Sequence, residues 1–165
     1  MTFGRYVSDL EVGDELKSVT YVMTPYVVRE YCHGVGETAE EFHRALPEFG
    51  GQLVPPPLAH IDKIRLIKEN CPDGPGPNAR IHYEFRTKQH KLTPVGASLT
   101  CSGVVARRYE KKGRTYLDME IEVRETDTGE LVITYQDTAL LSYSPAAEPA
   151  QAPTRTASDE AAKHD

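Results

Sequence analysis

The chain has 165 residues, 39% hydrophobic and 27% charged, enough for one domain with a real core and too little for two comfortable ones. Its net charge is −6 and Lys and Arg gather only in "KK" and "RR" pairs, which argues against a nucleic-acid partner and leaves the acidity to support solubility. No apolar run approaches the roughly 20 residues that a membrane-spanning helix needs, so no membrane partner is expected.

The first residues, "MTFGRYVSDLEVGDEL", are polar and lack the apolar stretch of a secretory signal. Then "MTPYVVREYCHGVG" reads as a short helix. Thr24 suits its N-cap, Pro25 its first position and Gly34 or Gly36 its end, with Val27, Val28, Tyr31 and Cys32 on one face. A second helix is expected over "LAHIDKIRLIKEN", Leu58 to Asn70. Leu58, Ile61, Ile64 and Ile67 recur there at i, i+3 spacing with Leu66 beside them, and Ile61 or Ile64 is expected to be almost fully buried. The "PPP" of 55 to 57 is a rigid entry, because Pro tolerates the first helical turn and disfavours helix before it. The helix stops before Pro72 in the breaker-rich "CPDGPGPN".

Beyond that loop the pattern is strand. "RIHYEFRT" alternates Ile81, Tyr83 and Phe85 against His82, Glu84 and Arg86. "TYLDMEIEVRE" alternates Leu117, Met119, Ile121 and Val123 against Asp118, Glu120, Glu122 and Arg124. "SLTCSGVVARRYE" and "ELVITYQDTALLSY" are longer strands, with turns at "KKGR" and "TDTGE". Tyr83 and Tyr135 are read as core residues, and His33, His82 and His90 as surface or strand residues. Alternation of this kind predicts an antiparallel sheet with one wet and one covered face, and the long apolar helix is what can cover it. The fold class is α+β.

From Ser144 the sequence is "SPAAEPAQAPTRTASDEAAKHD", without a large apolar residue. It cannot bury enough surface to offset its ordering entropy, so 144–165 is expected to be a disordered tail and 3–143 the folded domain. Cys32, Cys71 and Cys101 are odd in number and have no C-x-x-C pair. That fits a reducing cytoplasm and offers no zinc-site spacing.

The order of these features resembles the MaoC-like family, hotdog-fold (R)-specific enoyl-CoA hydratases and 3-hydroxyacyl-thioester dehydratases. "FGRYVSDLEVGDEL" is similar to the family's opening phrase, "MTPYVVREYCHGVGE" to its first helix, and "LVPPPLAH" to the Pro-containing entry of its central helix. The last strands resemble the family's too, including a "PV-x-G-D-x-L" phrase at Pro94 to Leu99 with Ala97 in place of Asp. The resemblance spans about residues 3–143 and implies a curved antiparallel sheet wrapped around a central helix.

It also implies chemistry in a D-x-N-P-x-H loop followed by a Pro-x-x-His at the helix entry. There an Asp and a His act on water and on the α and β carbons of an acyl thioester. Counted back from "PLAH", His43 falls on the family's His and His60 on the helix-entry His, 17 residues later, while Thr38 takes the Asp position. Counted forward from "VGE", Glu37 takes the Asp position and Phe42 that of the His. Neither register gives an intact Asp–His pair.

The candidate catalytic residues are therefore His43, as acid–base group, and Glu37, as its carboxylate; the duller alternatives are a solvated loop histidine and a loop acid. Glu40 and Glu41 read as a solvated charge run. The resemblance places Pro57, His60 and Ile61 on the substrate side, where amides at a helix N-terminus suit a thioester oxyanion. No metal or redox cofactor is implied. The implied substrate is an acyl-CoA or acyl-carrier thioester, and a homodimer or a heterodimer with another hotdog subunit is expected. Two further readings stay open: a non-catalytic hotdog subunit that pairs with a catalytic one, and an acyl-CoA thioesterase using a carboxylate on or near the helix.

Overall fold

The computed structural model describes residues 5–76 and 79–143; the expected tail at 144–165 lies outside the described residues. Five strands form one antiparallel sheet: β1 (Glu15–Val22), β2 (Ala79–Gln89), β3 (Ser98–Lys111), β4 (Arg114–Glu125) and β5 (Leu131–Tyr143). Their spatial order is β1-β3-β4-β5-β2, so β1 and β2 are the edges. The helix α2 (His60–Asn70) lies centrally against this sheet, and α1 (Pro25–Val35) precedes it. This is the hotdog arrangement.

Local sequence explains the boundaries. The Thr24 hydroxyl accepts the Val27 N–H at 3.3 Å, Pro25 opens α1, and Gly36 closes it at φ 69°, where a side chain would be strained. Between β3 and β4 the two-residue turn Lys112–Gly113 has φ of 52° and 68°, the positive-φ pair whose twist matches a hairpin. The edge strand β1 has no clean alternation to announce it, because a register shift between Leu16 and Val19 breaks its period.

The helix phase differs from the expected one. A 3-10 turn, Pro56–Ala59, leads into α2, so the α-helix proper starts at His60 instead of Leu58. Its covered face is Asp62, Lys63, Leu66 and Ile67, whereas Ile61 is half-buried and Ile64 is 51% exposed. The i, i+3 stripe counted apolarity alone. Lys63 turns inward to the buried carboxylate of Asp137, Asp62 turns inward beside Tyr21, and Ile64 is left on a flank.

Leu66 shows how closely helix and sheet approach. A Cβ built on Gly103 of β3 would stand 3.2 Å from Leu66 Cδ2 and 3.0 Å from Ile121 Cγ1, so a glycine is what lets the helix sit down on the sheet. In β4 the expected inner residues Leu117, Met119, Ile121 and Val123 are all buried. Asp118 is buried as well, against its expected wet position, and is held by the Thr138 hydroxyl at 2.7 Å and by Arg107 at 2.6 Å. Tyr135 is core as expected, but Tyr83 is 53% exposed on the β2 edge.

Candidate active-site loop and helix-entry cavity

The segment from Gly36 to Pro55 is a loop with two short 3-10 turns, Glu40–Phe42 and Pro47–Phe49. It is pinned, not free. The Leu53 N–H bonds to the Glu41 carbonyl at 2.8 Å, the Val54 N–H to the Thr93 carbonyl at 2.8 Å, and the Val95 N–H to the Gln52 carbonyl at 2.8 Å. Gln52 also donates from Nε2 to the Phe42 carbonyl at 2.7 Å, and Phe42 packs against the core. The "TPVGA" phrase ahead of β3 thus serves as the wall on which the loop rests.

Within the loop, Glu37 and His43 are neighbours, but not through their charged groups. The Glu37 carboxylate accepts the N–H groups of Thr38 at 2.8 Å and Ala39 at 2.9 Å, a local turn of the kind acids make with their own backbone. The His43 ring lies with Nε2 2.7 Å from the Glu37 carbonyl oxygen. A carbonyl oxygen only accepts, so Nε2 carries the proton and the neutral ring keeps its lone pair on Nδ1. His43 is exposed, and Glu40 forms an i,i+4 ion pair with Arg44, in keeping with a solvated charge run.

At the helix entry, Pro56 and Pro57 face Phe85, Thr87, Gln89, Ile133 and Tyr135 across a mainly apolar cavity of about 350 Å³. Phe85 stacks on Tyr135 with ring centres 5.4 Å apart, giving this cavity a flat aromatic wall. Pro57 lines it; His43 and Glu37 do not. Ile61 packs against the core one turn further on. The side chain of His60 lies outside the described residues. Pro55 to Pro57 carry no amide hydrogen and the Leu58 N–H is taken by the Pro55 carbonyl at 3.0 Å, so a donor to a thioester oxygen has to come from the residues that follow.

Sequence reasoning missed the sheet side of this cavity. Alternation placed Phe85 on one face of its strand and Tyr135 was read as core, yet which part of the sheet meets the helix entry depends on the β2–β5 register, Thr87 opposite Tyr135.

A second buried feature sits under α2. Asp62 is 1% exposed, Arg65 reaches its Oδ1 at 3.5 Å, and neither Asp62 Oδ2 nor the nearby Tyr21 hydroxyl has a well-aligned hydrogen-bond partner among the described residues. Burial pushes the Asp62 carboxyl up to about 7, with Tyr21 and Arg65 acting in the other direction. Burial, with Asp62 close by, likewise pushes the Cys101 thiol up to about 12 and raises the Tyr135 and Tyr21 phenols above their ordinary range. Cys32, Cys71 and Cys101 are buried and form no disulfide among the described residues.

Among the described residues no group of three His, Cys, Asp or Glu side chains could hold a metal ion. No described helix is long and apolar enough to cross a membrane.

Solved structures with this fold are consistent in kind. The R-hydratase PhaJ1 from Pseudomonas aeruginosa matches 86% of this chain and 92% of its own, at 16% identity and TM-score 0.66. A MaoC-like dehydratase from Rhodospirillum rubrum matches 87% of this chain and 100% of its own, at 18% identity and TM-score 0.64. The HadBC 3R-hydroxyacyl-ACP dehydratase complex from Mycobacterium tuberculosis matches over 78% and 96%, at 15% identity and TM-score 0.64. At these identities the likeness defines the class of fold: α+β, hotdog. No protein-family model matches the chain, and no curated protein matches it.

Proposed function

We propose that the chain is a hydro-lyase subunit, hydrating or dehydrating an enoyl/3-hydroxyacyl thioester of coenzyme A or a carrier protein. The observation that carries this reading is the apolar cavity at the entry of the central helix, walled by Pro57, Phe85 and Tyr135 and close in sequence to the loop that holds an oriented imidazole. The acyl chain would enter that cavity. In the hydration direction, His43 Nδ1 takes a proton from the water as its oxygen bonds to the β carbon, and the protonated ring passes that proton to the α carbon as the double bond is lost, which returns the ring to its starting state. Amides early in α2, Ile61 among them, would face the thioester oxygen as negative charge develops there.

Glu37 serves through its carbonyl, which fixes the ring tautomer as a carboxylate does elsewhere. Its carboxylate shapes the turn beneath. Hydration of crotonyl-CoA by the purified chain, lost in His43→Ala, tests this assignment.

One observation favours a second reading. A carboxylate engaged with its own loop amides is not aimed at the imidazole, as a non-catalytic subunit paired with a catalytic hotdog partner would have it. That reading requires the chain to be inactive alone and to raise the activity or widen the acyl range of its partner. Either way the chain would be dimeric: β2 is an edge with Ile81 and Tyr83 in water, and a second protomer pairing there would cover them.

A further inference from the structure

Two spaces border both the central helix segment and the edge strand β2. The helix-entry cavity, of about 350 Å³, lies between Pro57 and the strand residues Thr87 and Gln89. A second space, of about 500 Å³, lies between Ile64 and Ile67 of α2, Pro72, and His82 of the strand. The two share no lining residue.

The ring of Phe85 touches the walls of both. It lines the helix-entry cavity and stacks on Tyr135 of that cavity, with ring centres 5.4 Å apart. Two residues that line the second space meet the same ring. His82 makes a T-shaped contact with it, ring centres 5.5 Å apart, and Lys63 Nζ stands 4.9 Å from its centre.

The sheet register accounts for this position. Thr87 pairs with Tyr135 and Phe85 with Asp137, so Phe85 stands where the cavity lining gives way to the buried Lys63–Asp137 pair. An aromatic ring suits such a boundary. Its face attracts the ammonium, and its carbon bulk presents an apolar wall to the cavity. Lys63 and His82 both meet Asp137 Oδ1, at 3.0 and 2.7 Å, so removing the ring leaves that carboxylate paired. The apolar surface of Ile64 and Ile67 lies beyond.

We propose that Phe85 sets the length of acyl chain the protein accepts, its ring closing the far end of the helix-entry cavity and parting it from the space beside Ile64 and Ile67. The proposal rests on the reading of the helix-entry cavity as the acyl site. It concerns binding, so it holds for a catalytic and for a non-catalytic subunit alike.

The test is calorimetric titration of the full chain with saturated acyl-CoA thioesters from butyryl to decanoyl, which lack the double bond and are not hydrated. Wild type, Phe85→Ala and Phe85→Leu are compared. Each methylene that finds an apolar place tightens binding by about fourfold. In the wild type that gain should stop before decanoyl-CoA. In Phe85→Ala it should continue, so that decanoyl-CoA binds at least about 10-fold more tightly than to the wild type, with butyryl-CoA little changed. Phe85→Leu keeps much of the bulk and should fall between; it carries the test if circular dichroism shows that Phe85→Ala has lost its fold. A gain that stops at the same chain length in a folded variant, or that never stops in the wild type, would overturn the proposal and leave the thioester reading standing. No binding of any of these thioesters to the wild type would overturn that reading and the proposal with it.

Discussion

Asp62→Asn isolates the cost of burying a carboxyl beneath the central helix. In the folded chain that carboxyl titrates near 7, against 3.8 for a solvated aspartate, because burial disfavours its charged form. The folded state therefore holds a proton that the unfolded state has released between those two values. Stability falls as pH rises across that window, and the penalty is complete above about 7. Three units or so at about 1.4 kcal/mol each set the scale, on the order of 4 kcal/mol.

The amide has nearly the same shape and never ionises. Denaturant unfolding of wild type and Asp62→Asn, run from pH 4 to 8.5, should show the variant gaining on the wild type with rising pH. The gain should be concentrated between pH 4 and 7 and amount to about 2–4 kcal/mol in total. Stability curves that run parallel across this range would refute the reasoning, because they would mean that the carboxyl ionises in the folded state as readily as in water.

Gly103→Ala should destabilise by about 1–3 kcal/mol, since the new methyl meets Leu66 and Ile121 at 3.0–3.2 Å in a packed core; equilibrium unfolding checks it. Leu66→Ala, at a fully buried position, should cost about 2–5 kcal/mol in the same assay. Glu37→Gln keeps the carbonyl that orients His43 and should cost turnover far less than His43→Ala does, a comparison made with both variants at saturating substrate. Sedimentation should return a dimer, and a stable monomer of 18.4 kDa at micromolar concentration would contradict the role given to the β2 edge.

Much of the fold was legible because it rests on local rules. Thr24, Pro25 and Gly36 bound the first helix by capping chemistry, and Leu117 to Val123 declare their buried face by alternation. The phase of α2 was not legible. Asp62 and Lys63 read as solvent-facing in a sequence, and only the assembled sheet shows Asp137 waiting for Lys63. For the same reason Ile64 read as core although it borders a cavity. His82 read as a surface residue, and its bond to Asp137, 55 positions away, leaves no trace in local pattern.

The candidate loop was singled out by its place between two helices and by the spacing from His43 to His60. What pattern could not give is which atom of Glu37 meets the imidazole. A carboxylate three bonds away from the backbone was the natural choice of partner, and the carbonyl took its place because the side chain is engaged with Thr38 and Ala39.

The most direct test of the central assignment is the steady-state hydration of crotonyl-CoA by the purified chain and by His43→Ala, with matched circular dichroism spectra. The account predicts measurable turnover by the wild type and a loss of at least about 10²-fold in kcat for the variant, the scale of a removed proton-transfer group. An inactive wild type, or a variant that turns over as fast as its parent, would contradict it.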